Sequence, residues 1–265
     1  MVRARLVSMA AIAAVAAIAS WTAPARADGA RPDFAFGEPA GEAGLASFAV
    51  AANLTYFLPQ HAGAWEPSSG PEVDHTADAW SNLVGGVGGS LVALGSGYVL
   101  ESTYLAVEGA DQPGIQAFHT TGVEAEAVVL STAITSLVKR LVGRCRPRAY
   151  SSSGCGEHDA FPSGHTSAIS AFAGARIVGL AQTPMDAGFG VRAASLGLAE
   201  ATTVATAILR VVAGAHNWED VVVGAAVGHA TGALVAIAHP SVRVDEAADV
   251  VTRGRRFYFE TGFSF

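Results

Sequence analysis

Two long uncharged stretches, residues 80–100 and 221–242, constrain the fold of this chain more than any other feature. Each has about the 20 residues that an α-helix needs to cross a bilayer. Neither stretch alternates apolar and polar residues as a half-buried strand would. We therefore expect long helices that either pack tightly against one another or lie in lipid.

The composition supports the same view. Apolar residues make up 51% of the chain and charged residues only 15%, against usual values of about 45–50% and about 25%. Alanine and glycine supply much of the apolar fraction, so thin and closely packed helices are expected. Arg176 and Glu200 lie near the middle of apolar segments, which is costly in lipid unless each charge is paired. A membrane-embedded bundle and a soluble bundle both stay open.

Prolines divide the chain into helical segments. Pro113, Pro147, Pro162 and Pro184 lie in the breaks, where helices are expected to end. The predicted helices cover about residues 43–58, 76–107, 116–142, 163–182, 188–210 and 217–238. The sequence therefore predicts an all-α fold, a helical bundle of about six helices that is either membrane-embedded or soluble.

The first 27 residues have the pattern of a secretory signal peptide. Arg3 and Arg5 form a basic start, residues 6–21 are apolar and uncharged, and residues 25–27 give an A-x-A cleavage pattern. The apolar run is short for a membrane span, although an uncut anchor is the alternative. Cleavage predicts an exported protein that faces the periplasm, either embedded in the inner membrane or soluble.

The rest of the chain divides into three parts. Residues 28–74 form an N-terminal arm with a weak helix and a linker, residues 75–240 form the helical-bundle domain, and residues 241–265 form a C-terminal tail. The signal peptide holds three arginines and no acidic residue, so its removal changes the net charge from −7 to −10. An acidic protein of this kind is a poor candidate for binding nucleic acid.

A basic cluster precedes Pro147 and contains Lys139 and Arg146, seven residues apart. Residues two helical turns apart share one face, so both side chains are expected together near a helix end. An ammonium group beside a guanidinium fork suits an anion with several oxygens. A solvated basic face or a membrane-flanking cluster is the alternative for this first motif alone.

The second motif is Ser163-Gly164-His165, which follows Phe161-Pro162 at the predicted start of a helix. Ser163 can cap that helix, and Gly164 lets the backbone approach a ligand closely. The free N–H groups at a helix start attract phosphate. An ordinary N-cap followed by an incidental histidine is the alternative.

The third motif contains Arg210, His216 and Asp220. His216 and Asp220 are four residues apart, so on a helix they would share one face. A carboxylate there can hold one imidazole nitrogen as N–H and leave the other nitrogen free to attack. Arg210 can help to bind an anion, whereas a polar pair on a helix surface is the alternative.

A stripe of glycines follows the third motif, with Gly224, Gly228 and Gly232 at intervals of four residues after Asp220. Such a stripe lets a neighbouring helix approach closely, so it predicts packing rather than chemistry. His229 lies in the same apolar segment and is interpreted as a core histidine with its hydrogen bonds satisfied.

In order and spacing the three motifs read K-x6-RP, PSGH and R-x5-H-x3-D. This ordered set resembles the type 2 phosphatidic-acid phosphatase superfamily, which includes bacterial non-specific acid phosphatases and vanadium haloperoxidases. The resemblance extends over roughly residues 75–240. Members often have serine before the arginine of the third motif, where this chain has Leu209. That difference bears on the details of phosphate contact more than on the reaction.

The resemblance implies a metal-independent phosphatase without a cofactor, acting on phosphomonoesters or diphosphates of lipids or small molecules. His216 would attack phosphorus and form a phosphohistidine, Asp220 would orient His216, and His165 would protonate the leaving group. The groups that hold the phosphate would be Lys139, Arg146, Ser163, Gly164 and Arg210. The partners would be the phosphorylated substrate and, for an embedded protein, membrane lipid.

Two other functions fit the same motifs. One is a haloperoxidase with vanadate bound to His216, although the mature chain is short and shows no added halide-site segment. The other is a non-catalytic lipid-binding helical protein that has kept the fold. Release of phosphate from a monoester, against oxidation of bromide with peroxide, separates the three.

Cys145 and Cys155 are the two cysteines of the chain, and export would place them in an oxidising compartment. A disulfide between them would hold the loop between the first and second motifs beside the phosphate site. Two free thiols are the alternative.

Overall fold

The computed structural model describes residues 31–32, 39–58, 62–63, 73–110, 112–151, 154–181, 189–239 and 241–242. These residues contain seven α-helices: α1 Pro39–Leu54, α2 His75–Val84, α3 Gly86–Val107, α4 Pro113–Val142, α5 Gly164–Ala181, α6 Phe189–Val212 and α7 Trp218–Ala238. The predicted signal peptide lies outside the described residues, as does the C-terminal tail beyond residue 242.

The predicted all-α bundle is confirmed, and the helices follow the predicted segments within a few residues. One predicted helix is broken into α2 and α3 at Gly85, which has extended backbone. A Cβ atom at Gly85 would lie 2.5 Å from the Thr206 side chain of α6, so a larger residue would push the helices apart. Gly86 follows with a φ of 60°, a conformation that favours glycine.

Helices α5 and α7 pack against each other over most of their length. The glycine stripe lies in this contact, because a Cβ atom on Gly224 would lie 2.6 Å from the carbonyl oxygen of Ser163. Cβ atoms on Gly228 and Gly232 would meet other carbonyl oxygens of α5 closer still. The predicted packing role of the stripe is confirmed, and this packing sets the start of α5 beside the start of α7.

Among the residues that the structure describes, four segments are long and apolar enough to cross a membrane: His75–Val107, Pro113–Ala149, Phe189–Val212 and Trp218–Ala238. Helix α1 contributes only a shorter apolar segment, Leu45–Leu54. Large apolar side chains such as Leu91, Val107 and Phe118 are exposed on the surface of the bundle. An apolar outer surface of this kind suits lipid, so the four segments indicate association with a membrane.

The charges inside the apolar helices are paired, as the sequence required of them. Arg176 of α5 lies 3.0 Å from Glu124 of α4, and both are largely buried. Glu200 of α6 lies 2.9 Å from His229 of α7, whose other ring nitrogen contacts a backbone carbonyl. His229 is therefore satisfied as predicted, although it is half-buried rather than in the core. Pairing across helices lowers the cost of placing these charges among apolar residues.

In the described part of the chain, four two-residue strands form two antiparallel ladders: β1 Arg31–Pro32 with β4 Ser241–Val242, and β2 Tyr150–Ser151 with β3 Gly154–Cys155. The second ladder folds the loop between α4 and α5 back on itself. The N–H of Arg146 then donates to the carbonyl of Glu157 at 2.9 Å. The loop that follows β3 is thereby placed against the end of α4.

Candidate active site

The three motifs meet at one end of the bundle. Helices α4 and α6 end there, and helices α5 and α7 begin there, so the intervening loops carry the motif residues towards one another. The N–H of Ser163 donates to the carbonyl oxygen of Asp220 at 2.9 Å, which joins the second motif to the third. Chain segments far apart in sequence therefore contribute to one site.

Asp159 contacts both Lys139 and Arg146 of the first motif. Arg146 donates to the carboxylate, from Nε to Oδ1 at 2.6 Å and from Nη2 to Oδ2 at 2.8 Å. Lys139 donates from Nζ to the backbone carbonyl oxygen of Asp159 at 2.5 Å, and its Nζ lies 3.8 Å from the carboxylate Oδ2. All three side chains are buried. Asp159 therefore fixes the ammonium and guanidinium groups side by side.

The backbone that carries Arg146 differs from the prediction. Gly143 ends α4 in the left-handed conformation, with a φ of 58°. Arg146 consequently lies in extended backbone beyond the helix, not on the helical face that the seven-residue spacing suggested. The two cations meet because the chain turns back at Gly143 and the carboxylate of Asp159 bridges them.

Arg210 of the third motif is only 2% exposed, and helix α2 holds its side chain. Its Nη1 donates to Asp78 Oδ1 at 3.0 Å and to Ser81 Oγ at 3.1 Å. It also donates to Asn82 Oδ1 at 3.2 Å. The Nε atom of Arg210 is buried without a hydrogen-bond partner among the described residues. A buried guanidinium N–H in this condition is a ready donor to a bound anion.

The N-terminal end of helix α5 lies beside Lys139. A Cβ atom on Gly164 would lie 3.6 Å from Cε of that lysine. Ser163 occupies the capping position, with its Oγ 3.5 Å from the N–H of Thr166 and 3.1 Å from the Thr166 hydroxyl. The free N–H groups of a helix start and an ammonium group thus lie together, as an anion-binding site requires.

His216 lies in the turn between α6 and α7 and is 2% exposed. The sequence placed it with Asp220 on one helix, but α7 begins only at Trp218. The turn nevertheless brings the two side chains together, with 3.7 Å between His216 Nδ1 and Asp220 Oδ2. His216 Nδ1 has no hydrogen-bond partner within the described part of the chain.

Asp220 is fully buried and is held from two sides. Its Oδ1 accepts from Arg144 Nη1 at 2.5 Å. Its Oδ2 accepts from the backbone N–H of Asn217 at 2.8 Å, in the capping box that starts α7. A cation of the first motif thus fixes the aspartate of the third motif beside His216.

The charges of this site keep both histidines neutral. Burial lowers the pKa of His216 well below its usual value, and the positive charges of Lys139, Arg146 and Arg210 lower it further. Burial and the same three cations lower the pKa of His165 to about 3. A neutral imidazole keeps a lone pair, which is the form that a nucleophile or a base needs.

The same cations that keep the histidines neutral keep Asp159 charged. Burial alone would raise the pKa of its carboxyl, but the hydrogen bonds from Arg146 and the charge of Lys139 outweigh burial and lower the pKa well below its usual range. The carboxylate therefore stays ionised at neutral and mildly acidic pH, and it keeps both cations in place.

Four residues of the site were missed by the sequence analysis as functional candidates: Asp78, Asn82, Arg144 and Asp159. Arg144 lies within the first motif, and its charge was the available signal. Asp159 lies four residues before Ser163, in a loop with no periodicity to interpret. Asp78 and Asn82 lie on α2, more than 50 residues before the first motif, and only the packing of α2 against α6 brings them to the site.

Cys145 and Cys155 are joined by a disulfide in the structure. Cys145 is buried directly before Arg146, and Cys155 ends strand β3. The bond closes the loop that leads to Asp159. The disulfide therefore links the backbone next to Arg146 to the segment that carries Asp159, the carboxylate partner of Arg146.

Within the described residues, no group of three or more His, Cys, Asp or Glu side chains is arranged to hold a metal ion. In a comparison with known protein families, residues 124–243 fit the model described as the PAP2 superfamily. No curated protein and no solved structure matches the chain. The matched segment begins in α4 and ends just after α7, so it includes all three motifs but not α2.

Proposed function

Because the chain belongs to the PAP2 superfamily, we propose that it is a phosphatase that hydrolyses phosphomonoesters or diphosphates through a phosphohistidine on His216. The observation that carries the proposal is a buried, neutral His216 whose pKa is lowered first by burial and then by three cations, Lys139, Arg146 and Arg210. The imidazole supplies a lone pair, and the cations stabilise negative charge on the transferring phosphoryl group.

In the first step, a lone pair of His216 forms a bond to phosphorus while the bond from phosphorus to the leaving oxygen breaks. Nδ1 lies beside Asp220, so Nε2 is the attacking nitrogen. The negative charge of the bound substrate raises the pKa of His165, so the ring takes up a proton from solvent on binding. His165 then gives this proton to the leaving oxygen and becomes neutral. Asp220 stabilises the positive charge that develops on His216, as an orienting carboxylate does for other catalytic histidines.

In the second step, a water molecule attacks phosphorus and the bond from phosphorus to His216 breaks. Neutral His165 takes a proton from that water and so returns to its protonated form. Inorganic phosphate leaves, and His216 is again neutral. The three cations hold the phosphate oxygens throughout, and loss of one such donor commonly costs roughly 10²–10³-fold in rate.

A direct test is to trap the intermediate. The purified protein is mixed with p-nitrophenyl phosphate or a lysophosphatidic acid and quenched in alkaline denaturant, because phosphohistidine is labile in acid. We expect a peptide phosphorylated on His216. His216→Ala should abolish both turnover and labelling, whereas His75→Ala, an exposed histidine of α2, should leave both unchanged. Turnover by His216→Ala at a rate near the wild-type rate would contradict the proposed nucleophile.

The chemistry assigned to the side chains requires no metal. Activity is therefore expected to persist in the presence of a chelator, and a strict requirement for added magnesium or zinc would contradict the proposal. Vanadate is expected to inhibit, because its five-coordinate form resembles the transferring phosphoryl group.

The same preparation distinguishes the alternatives. Bromide oxidation with vanadate and peroxide, without release of phosphate from any ester, would identify a haloperoxidase. Absence of both reactions, with retention of lipid binding, would identify a non-catalytic protein. A panel of lipid, isoprenoid, sugar and nucleotide phosphates then defines the substrate.

We propose further that the bundle is embedded in the inner membrane with the site facing the periplasm. The β1–β4 ladder holds residues 31–32 beside residues 241–242, at the end of the bundle opposite the site. In an embedded bundle, a site that faces the periplasm therefore places residues 31–32 on the cytoplasmic side, whereas a cleaved N-terminus outside the membrane fits the soluble periplasmic bundle. The opposite end of the bundle and the arginines of the tail, such as Arg243, face the cytoplasm, in agreement with the positive-inside tendency.

The acidic residues that oppose this orientation are partly neutralised. Residues 101–118 would lie towards the cytoplasm and contain Glu101, Glu108 and Asp111. Glu101, however, is bonded to Arg192 of α6 at 2.8 Å. This pairing neutralises one of the three acidic charges that oppose the proposed orientation.

Cysteine labelling in whole cells tests the placement. In a variant without Cys145 and Cys155, His75→Cys reports on the site end and Glu108→Cys on the opposite end; both positions are exposed. A membrane-impermeant maleimide should label His75→Cys in cells with an intact inner membrane and Glu108→Cys only after that membrane is opened. Labelling of both in intact cells would indicate a soluble periplasmic bundle. The reverse pattern would show that the site faces the cytoplasm.

A further inference from the structure

Helix α2 lies outside the segment that matches the family model, yet it reaches the candidate acid of the reaction. Asn82 Oδ1 lies 2.9 Å from His165 Nε2. The same oxygen accepts from Arg210 Nη1 at 3.2 Å. One amide oxygen thus contacts both a phosphate-binding cation and the imidazole that is proposed to protonate the leaving group.

The direction of these hydrogen bonds can be assigned from their partners. A guanidinium group only donates, so the atom of Asn82 that faces Arg210 must be the carbonyl oxygen. The amide nitrogen of Asn82 lies 3.4 Å from Asp78 Oδ2, an acceptor, which agrees with this orientation. An amide oxygen only accepts, so Nε2 of His165 must carry the hydrogen in the hydrogen bond between them.

We propose that Asn82 is a positioning residue for His165, which holds the ring by its Nε2–H and leaves Nδ1 as the nitrogen that exchanges protons with substrate and water. In the first step Nδ1 of the protonated ring gives its proton to the leaving oxygen. The product is the neutral Nε2–H tautomer, which is the tautomer assigned from the contact with Asn82 Oδ1. In the second step Nδ1 takes a proton from the attacking water.

The physical reason is that the cations of the site oppose protonation of His165. An acceptor on Nε2 stabilises the protonated ring more than the neutral ring, because a hydrogen bond from a charged donor is the stronger one. A neutral amide achieves this without adding a negative charge, which would compete with phosphate for Arg210. Asn82 therefore supports the acid without weakening the anion site.

This inference rests on the proposed phosphatase function, and its kinetic test compares leaving groups. Asn82→Ala should slow an alkyl phosphate by roughly 10-fold, the equivalent of one lost hydrogen bond. It should slow p-nitrophenyl phosphate by less than about twofold, because a good leaving group departs without a proton. Thr76→Ala on the exposed side of α2 is the matched control and should change neither rate.

The conservative variant Asn82→Asp gives a measurement that would not change if Asn82 only supported the fold. Asn82→Asp keeps the acceptor but adds a negative charge, so kcat on the alkyl phosphate should be retained while KM rises, because the charge competes with phosphate for Arg210. The alkaline limb of its pH–rate profile should move to higher pH, because a carboxylate favours the protonated ring. An equal loss on both substrates in Asn82→Ala, or an unmoved limb in Asn82→Asp, would overturn the assignment.

A second measurement is independent of turnover. In protein with ¹⁵N-labelled histidine, the nitrogen shifts of His165, assigned by comparison with His165→Gln, should show a protonated Nε2 and a bare Nδ1 at neutral pH. The opposite tautomer would refute the proposal even for an inactive preparation. A wild-type protein that hydrolyses no phosphate ester would instead count against the phosphatase function, since the tautomer is measured without substrate.

Discussion

The Nδ1 atom of His216 lies 3.7 Å from the Oδ2 atom of Asp220, a separation too long for a hydrogen bond but close enough for the carboxylate to stabilise a positive charge on the ring. The aspartate is bonded instead to Arg144 and to the N–H of Asn217. The carboxylate is thus fixed in place before substrate binds. Positive charge that develops on His216 during attack would draw the two side chains together.

Asp220→Asn separates the charge of this residue from its structural role. The amide oxygen can still accept from Asn217, so the helix cap is kept, but the stabilising charge beside His216 is lost. We expect kcat to fall by about 10²–10⁴-fold, as for the equivalent change in other carboxylate–histidine pairs. Asp220→Ala should also destabilise the fold, by about 3–5 kcal/mol, because it removes the buried carboxylate that lies closest to Arg144. Wild-type kcat in Asp220→Asn would exclude an electrostatic role.

His165→Ala should show a dependence on the leaving group. Removal of a general acid commonly costs about 10²–10⁴-fold, and the cost falls on leaving groups that need a proton. Steady-state rates with a series of aryl and alkyl phosphates measure this dependence. A uniform loss across the series would argue that His165 binds phosphate and does not transfer a proton.

Binding of an anion to the site should be accompanied by uptake of a proton. In the unoccupied site burial and the three cations lower the pKa of His165 to about 3. A bound phosphate brings negative charge next to the ring and raises that pKa, so protons are taken up at pH values between the unbound and bound pKa. Calorimetry with inorganic phosphate in buffers of different ionisation enthalpy measures the uptake. His165→Gln should abolish it, and an equal uptake in that variant would assign the proton elsewhere.

Asp159 should make stability sensitive to acid. Its pKa is lowered in the folded protein, so its contribution is fully present above the unfolded value of about 3.9 and is lost as pH falls through the folded pKa. Thermal unfolding in detergent at pH 7 and at pH 3 measures the effect. Asp159→Asn should lower the melting temperature at pH 7 and should show a smaller further loss at pH 3 than the wild type.

The disulfide should support the site as well as the fold. For a loop of this length the chain-entropy model gives roughly 2–3 kcal/mol of stabilisation. Replacement of Cys145 and Cys155 by serine should lower stability by that amount. It should also raise KM more than it lowers kcat, because the loop that carries Asp159 loses its attachment beside Arg146. An unchanged KM would indicate that the ladder β2–β3 holds the loop by itself.

Much of the architecture was available from the sequence, because the signals involved are local. Prolines and uncharged stretches mark the helices, and the glycine stripe after Asp220 marks the face of α7 that meets α5. The order of the three motifs also indicated which side chains belong to one site. These signals depend on neighbours within one or two helical turns, which the chain displays directly.

The tertiary structure decided how those side chains are held. The partner of Arg146 is a loop aspartate, the partner of Asp220 is an arginine 76 residues away, and the partner of His165 is an asparagine 83 residues away. No local pattern encodes such pairs, because they depend on how α2 packs on α6 and how the loop after Gly143 turns back. The sequence by itself determined the helices and the chemical groups of the site. The packing of those helices determined the geometry in which the groups can act.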